Sequence, residues 1–171
     1  LFYALVVFIL TACAPPSAGA TGEPSQDELE AVLQAPPTVP NGNSVEMEFT
    51  LTNNFETGIY VLTWYTPLEG VLGEIFRIER DGQPIPYEGP LVMRGDPIPE
   101  DYVFLDAGAA VSATVDLAIA YDFSQPGEYS ISFISPQISH VAMSEDEMVA
   151  SVEDLGPVEI GSESIIVEIE E

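Results

Sequence analysis

From Val45 to Leu51 the chain alternates without exception: Val45, Met47, Phe49 and Leu51 interleave with Glu46, Glu48 and Thr50. A period of two marks a strand with one face buried and the other in water. Leu29, Ala31, Leu33 and Ala35 alternate in the same way until Pro36-Pro37 and Pro40-Asn41-Gly42-Asn43 break the run. Ser25 followed by Glu28 is also a capping-box pattern, so a short helix is the competing expectation for this first segment. Asn53-Asn54 to Gly58 turns the chain into Ile59–Tyr65, which is apolar on both faces and is expected at the centre of a sheet. Phe76 and Ile78 alternate with Arg77 and Glu79, and Asp81-Gly82 supplies a hairpin turn. Further strands are expected over Tyr102–Leu105, Ala110–Leu117 and Glu128–Ser135. The last has Ile165, Val167 and Ile169 between Ile166, Glu168 and Glu170. One short helix is expected near 144–155, where Ser144 and Glu147 form a capping box and Met148, Val152 and Leu155 share a face.

Seven to nine short strands bounded by Gly and Pro signals predict an all-β fold, an immunoglobulin-like antiparallel β-sandwich, over residues 29–171. Gln125-Pro126-Gly127-Glu128-Tyr129 has the pattern of the corner before a late sandwich strand, where a tyrosine hydroxyl ties back to the backbone. Ile131 stands where an antibody domain carries cysteine.

The pattern changes upstream. Leu1–Leu10 is an unbroken apolar run, and ten helical residues reach only about half of a bilayer's hydrocarbon core, so it reads as the core of a signal peptide over residues 1–12. The missing initiator Met and basic segment lead us to expect a sequence truncated at its start. Leu10-Thr11-Ala12-Cys13 resembles the lipobox of bacterial lipoproteins, in which the cysteine sulfur takes a diacylglyceryl group. Each buried methylene contributes about 0.8 kcal/mol, so several acyl chains on Cys13 would anchor durably. Residues 13–28, rich in Pro, Gly and Ser, are then the lipidated cysteine and a flexible tether. Ala14 after the cysteine favours the outer membrane or cell surface.

The charge excludes one class of partner. Against 29 Asp and Glu stand only 3 basic residues, Arg77, Arg80 and Arg94, giving a net charge of −26, and such a surface repels nucleic acid. The membrane is expected to be met through the lipid anchor alone. The single cysteine excludes an internal disulfide, so packing must hold the fold. No catalytic or metal site is expected, and no cofactor. His140 is the sole histidine, there is no Gly-x-Ser-x-Gly elbow, and neither a P-loop nor an EF-hand spacing occurs. Carboxylates are plentiful enough to leave calcium open.

One stretch is more particular than a generic sandwich. Leu62-Thr63-Trp64-Tyr65-Thr66-Pro67-Leu68-Glu69-Gly70 is followed by Phe76-Arg77-Ile78-Glu79-Arg80-Asp81-Gly82, by Met93-Arg94-Gly95-Asp96-Pro97, and by Val115-Asp116-Leu117 with Tyr121-Asp122. From about Val45 to Ser135 the chain resembles the β-rich pro-domain of deuterolysin-type (aspzincin) zinc metallopeptidases. In that family a helical zinc-binding domain follows; here the chain reaches Glu171 without one. The resemblance implies a non-catalytic domain, with an aspzincin-type metallopeptidase as partner, acting in trans as an inhibitor or folding partner. The alternative is a surface binding or adhesion module.

Within the segment, Trp64 ends a strand just before Thr66-Pro67-Leu68. A large aromatic beside a Pro-fixed loop is the layout of an inhibitor's binding loop, so Trp64, Tyr65, Thr66, Pro67 and Leu68 are the candidate peptidase-contacting residues. Trp64 in the core is the other reading. Tyr87 and Arg94 are the candidate rim, or simply structural. The absence of lysine would deny a cut site to a peptidyl-Lys relative, but with so few basic residues chance is the better explanation.

Overall fold

A computed structural model describes residues 28–134, 138–160 and 162–171. The expected leader, Cys13 and the tether up to residue 27 lie outside the described residues.

The alternating segments become strands with the faces that the pattern assigns. Leu29–Gln34 is β1, a strand rather than a helix, and Thr38–Pro40 is β2. Glu46–Asn53 forms β3, burying Met47, Phe49 and Leu51 while Glu46 and Glu48 stay exposed. Ile59–Leu62 is β4, Phe76–Arg80 β5, Gln83–Ile85 β6 and Tyr102–Leu105 β7. Ala110–Asp116 is β8, Gly127–Phe133 β9, Val141–Ala142 β10 and Ile165–Glu170 β11.

Eleven strands therefore stand among the described residues against seven to nine expected. β2 and β10, with three and two residues, are too short to carry a periodic signal. β4 stops at Leu62, short of the expected Tyr65, because Tyr65 takes a positive φ of 57° that no strand tolerates.

The helix expected near 144–155 does not form. Its place is taken by two separate single turns of 3₁₀ helix, Glu145–Glu147 and Val152–Asp154. Met148 leaves the first turn in an extended conformation, and the Glu147 carboxylate accepts from the Met143 N–H at 2.8 Å while the Ser144 hydroxyl caps nothing. Val152, on the supposed apolar face, is exposed, so no core rewards a continuous helix.

Among the described residues the strands form three sheets. β1-β3-β8 is antiparallel throughout, and so is the small β10-β4-β7 sheet, in which β4 is the central strand as expected. The five-stranded sheet runs β2-β11-β9-β5-β6, with β2 and β11 parallel. The β1-β3-β8 sheet packs its buried face on the five-stranded sheet: Phe49 of β3 meets Phe133 of β9 edge-on at 5.4 Å. Phe49, Met47, Phe76, Tyr129, Ile131 and Val167 are fully buried in one continuous core. This is an immunoglobulin-like β-sandwich. The β5–β6 hairpin closes through Asp81 and Gly82 at φ 50° and 75°, the two positive values of a type I′ turn.

The corner before β9 is present. The Tyr129 hydroxyl donates to the Gln125 carbonyl at 2.8 Å, and its ring packs on Phe123 at 4.8 Å. Ile131, two residues on, fills the position of the antibody cysteine with a wholly buried side chain. Among the described residues, no helix is long and apolar enough to cross a membrane. Tyr129→Phe keeps the ring packing and removes only the corner hydrogen bond. It is expected to cost about 1 kcal/mol, seen in thermal unfolding as a fall in Tm of a few degrees.

Candidate functional site

The loop that leaves β4 is built from its own polar groups. The Leu62 N–H donates to the His140 carbonyl at 3.0 Å, and both the Thr63 N–H and the Thr63 hydroxyl donate to the Asp101 carbonyl, at 3.0 and 2.9 Å. The chain then reverses at Tyr65, whose left-handed backbone costs about 1–3 kcal/mol for a bulky residue. Three local bonds hold that conformation. The Tyr65 N–H donates to Glu69 Oε1 at 2.7 Å, the Thr66 hydroxyl donates to the Thr63 carbonyl at 2.6 Å, and Thr66 Oγ1 accepts from the Leu68 N–H at 3.2 Å. Thr66 thereby caps the 3₁₀ turn Pro67–Glu69, which Gly70 ends at φ 95°.

A second loop, residues 86–101, leaves β6 at the end of the five-stranded sheet where β5 begins and β9 finishes. Its start is pinned tightly. The Tyr87 hydroxyl lies 2.5 Å from the Pro90 carbonyl and 3.2 Å from that of Val71, and the Glu88 N–H donates to the Ala120 carbonyl at 2.8 Å. A Cβ on Gly89 would stand 2.6 Å from the Tyr87 hydroxyl and 2.7 Å from Ala120 Cβ, so no side chain fits there. The Tyr87 ring meets Tyr121 edge-on at 5.4 Å, and the Tyr121 hydroxyl donates to the Phe76 carbonyl at 2.9 Å. Burial holds that hydroxyl protonated far above the ordinary tyrosine range.

Arg94 joins the two loops. Its guanidinium lies 4.8 Å from the centre of the Trp64 ring and 5.2 Å from that of Tyr65, and Nη2 pairs with Glu69 Oε1. The same carboxylate oxygen thus accepts from the Tyr65 backbone and from Arg94. Burial raises the Glu69 carboxyl above its ordinary range, outweighing the Tyr65 N–H and the Arg94 charge that pull it down. Stacking on two rings is a geometry that a planar guanidinium suits and an ammonium does not.

The candidate residues are therefore partly assembled and partly hidden. Trp64 is 5% exposed, and Thr66 and Pro67 are buried, so only Tyr65 of the predicted contact loop is well exposed, at 43%. Leu68 is partly buried against the core. Trp64, Tyr65 and Arg94 form one cluster, whereas Tyr87 braces the start of the Arg94 loop. Sequence reasoning missed Glu69, which is one acid among 29 with nothing to distinguish it. It also missed Leu91, Val92 and Met93, which carry no periodicity but stand bracketed by Pro90 and Gly95. Among the described residues, no group of three or more His, Cys, Asp or Glu is placed to hold a metal ion. His140 is a strut between loops: Nδ1 accepts from the Gly156 N–H at 3.2 Å, and Nε2 lies 3.3 Å from the Glu147 carbonyl.

No family model matches the chain. An extracellular protease of Aeromonas hydrophila is 36% identical over 111 residues, which make up 64% of this chain and 32% of that protein. The chain thus spans about a third of the length of this relative. Among solved structures, a CARDB domain from Pyrococcus furiosus is 14% identical, covering 83% of this chain and 94% of that one at a TM-score of 0.36. A β-glucosidase from Listeria innocua is 15% identical at a TM-score of 0.37, over 84% of this chain and 16% of the enzyme. A human PapD-like (ASH) domain is 7% identical at a TM-score of 0.28, over 93% and 94%.

Arg94→Ala is expected to uncover the sole tryptophan and to strand Glu69. Acrylamide quenching of Trp64 fluorescence should rise, and stability should fall by about 1–3 kcal/mol at neutral pH. The sign with pH follows from the raised Glu69 carboxyl, whose ionisation costs stability as pH climbs from the ordinary Glu range through the folded value. Losing Arg94 raises that value further. The Tm deficit of the variant should therefore be small where Glu69 is protonated and grow toward pH 7, as thermal melts across pH will show.

Proposed function

We propose that this chain is a secreted, non-catalytic β-sandwich that binds a peptidase of the aspzincin type and acts on it in trans, as an inhibitor or as a folding partner. The observation that carries this reading is the 36% identity to an extracellular protease of which the matched stretch is only 32%. The remainder of that relative leaves room for a separate catalytic unit, and the resemblance of Leu62–Gly70 and Phe76–Gly82 to the aspzincin pro-domain supports the type. In this reading Cys13 carries the lipid, residues 14–28 form the tether, and residues 29–171 are the working domain at the cell surface.

A domain that covers a cleft needs rigid loops on a stiff scaffold, since each side chain it must order on binding costs about 0.5–1.5 kcal/mol. The Trp64–Gly70 and 86–101 loops supply that. They are held by the Thr63, Thr66 and Tyr87 hydroxyls and by the Arg94 stack, not by their own flexibility.

The test uses the full chain with Cys13→Ser, titrated into the Aeromonas hydrophila protease made without the stretch that this chain matches. Loss of activity on a fluorogenic peptide at micromolar or lower concentration is expected, or else a higher yield of active enzyme on refolding. The absence of inhibition, of a complex and of improved refolding sinks the proposal. For the anchor, palmitate labelling of the chain expressed behind a bacterial lipoprotein signal sequence that ends at Cys13 should mark the wild type and leave Cys13→Ser blank.

A further inference from the structure

The two most exposed large apolar side chains on the described surface, Leu91 and Met93, flank a third exposed one, Val92. Leu91 is 81% exposed, Val92 40% and Met93 98%. Single apolar residues in water are ordinary, but an uninterrupted run of three held out by a braced loop is not. Leu91 and Met93, two residues apart, stand furthest out, with Val92 less exposed between them, as in an extended segment presenting one face.

The run is held from both sides. Upstream, the Tyr87 hydroxyl reaches the Pro90 carbonyl and Gly89 packs against Ala120, while Pro90 fixes its own φ. Downstream, Arg94 turns back under Trp64 and Tyr65 to Glu69, and Asp96 Oδ1 accepts from the Val152 N–H at 3.1 Å. Among the described residues, no hydrogen bond engages the backbone N–H or C=O groups of Leu91, Val92 or Met93. The segment therefore shows backbone groups without hydrogen-bond partners together with two outward apolar side chains, and its neighbouring cation is tucked away.

We propose that Leu91-Val92-Met93 is the element that enters the substrate cleft of the partner peptidase, lying in it as an extended segment with Leu91 and Met93 in apolar subsites. This rests on the peptidase-binding reading above and deepens it, because it moves the contact from Trp64 to the loop that Trp64 supports. A cleft fits better than a flat surface: a three-residue projection reaches into a concavity, and free backbone groups add to the edge of a cleft strand. A preformed loop loses little entropy on entering it. A lipid surface is the poorer match, because Glu88, Asp96, Glu100 and Asp101 flank the tip and repel an anionic bilayer.

The experiment compares Leu91→Ser/Met93→Ser with Ile166→Ser, an exposed apolar residue on β11, all in the Cys13→Ser chain and against the same truncated Aeromonas hydrophila protease. The tip variant should keep the wild-type Tm and raise the inhibition constant by about tenfold or more, while Ile166→Ser inhibits like the wild type. Equal inhibition by the tip variant and the wild type overturns this inference and leaves the peptidase reading standing. No inhibition and no complex by the wild type overturns both. Tip-dependent binding to phosphatidylcholine vesicles with unaltered inhibition assigns the run to a lipid surface and overturns it as well.

Discussion

The ion pair between Arg94 and Glu69, roofed by Trp64 and Tyr65, is the contact on which this end of the sandwich depends. It joins loops separated by 25 positions and lets one carboxylate oxygen serve both the guanidinium and the strained Tyr65 backbone. Removing any partner leaves another in difficulty. Without Glu69, the Tyr65 N–H loses its acceptor; without Arg94, a largely buried carboxylate has no counter-charge; without the rings, the guanidinium loses its cover. The left-handed turn at Tyr65 persists because its surroundings over-determine it.

The arrangement also explains how a chain with a net charge of −26 uses a scarce cation. Most of its acids face water, where screening and distance keep their mutual repulsion tolerable. Glu69 is different, since burial alone already holds its carboxyl above the usual range. One arginine placed there does more than it would on the surface, where an exposed ion pair is worth about 1 kcal/mol at most. Ring stacking adds a contribution of up to about 2 kcal/mol when desolvated.

How much of this was legible in the sequence follows from the range of each interaction. The faces of β3, the Asp81-Gly82 hairpin and the Tyr129 corner depend on residues a few positions apart, and all three stand as the pattern predicts. The helix near 144–155 looked equally local. It fails because amphipathic spacing stabilises a helix only when a core lies beneath the apolar face, and none lies beneath Val152. β2 and β10 exist only because β11 and β4 offer them partners. The Arg94 contacts are long-range and leave no periodic trace, and nothing local in the motif around Trp64 and Arg94 says which of its side chains are buried.

Burial of Trp64 is what frees the tip to act. A large aromatic that both anchored the loop and met a partner would have to leave its packing to bind, and affinity would fall by the cost of reopening the cluster. With Trp64 and Arg94 committed to the scaffold, Leu91 and Met93 are held out by contacts that binding need not disturb. The immunoglobulin-like sheets supply a stiff base, the small β10-β4-β7 sheet positions the two loops at its edge, and the apolar run carries no packing duty of its own. Natural variation in such a tip would therefore alter partner choice before it altered stability, which is the property expected of a specificity loop on a rigid domain.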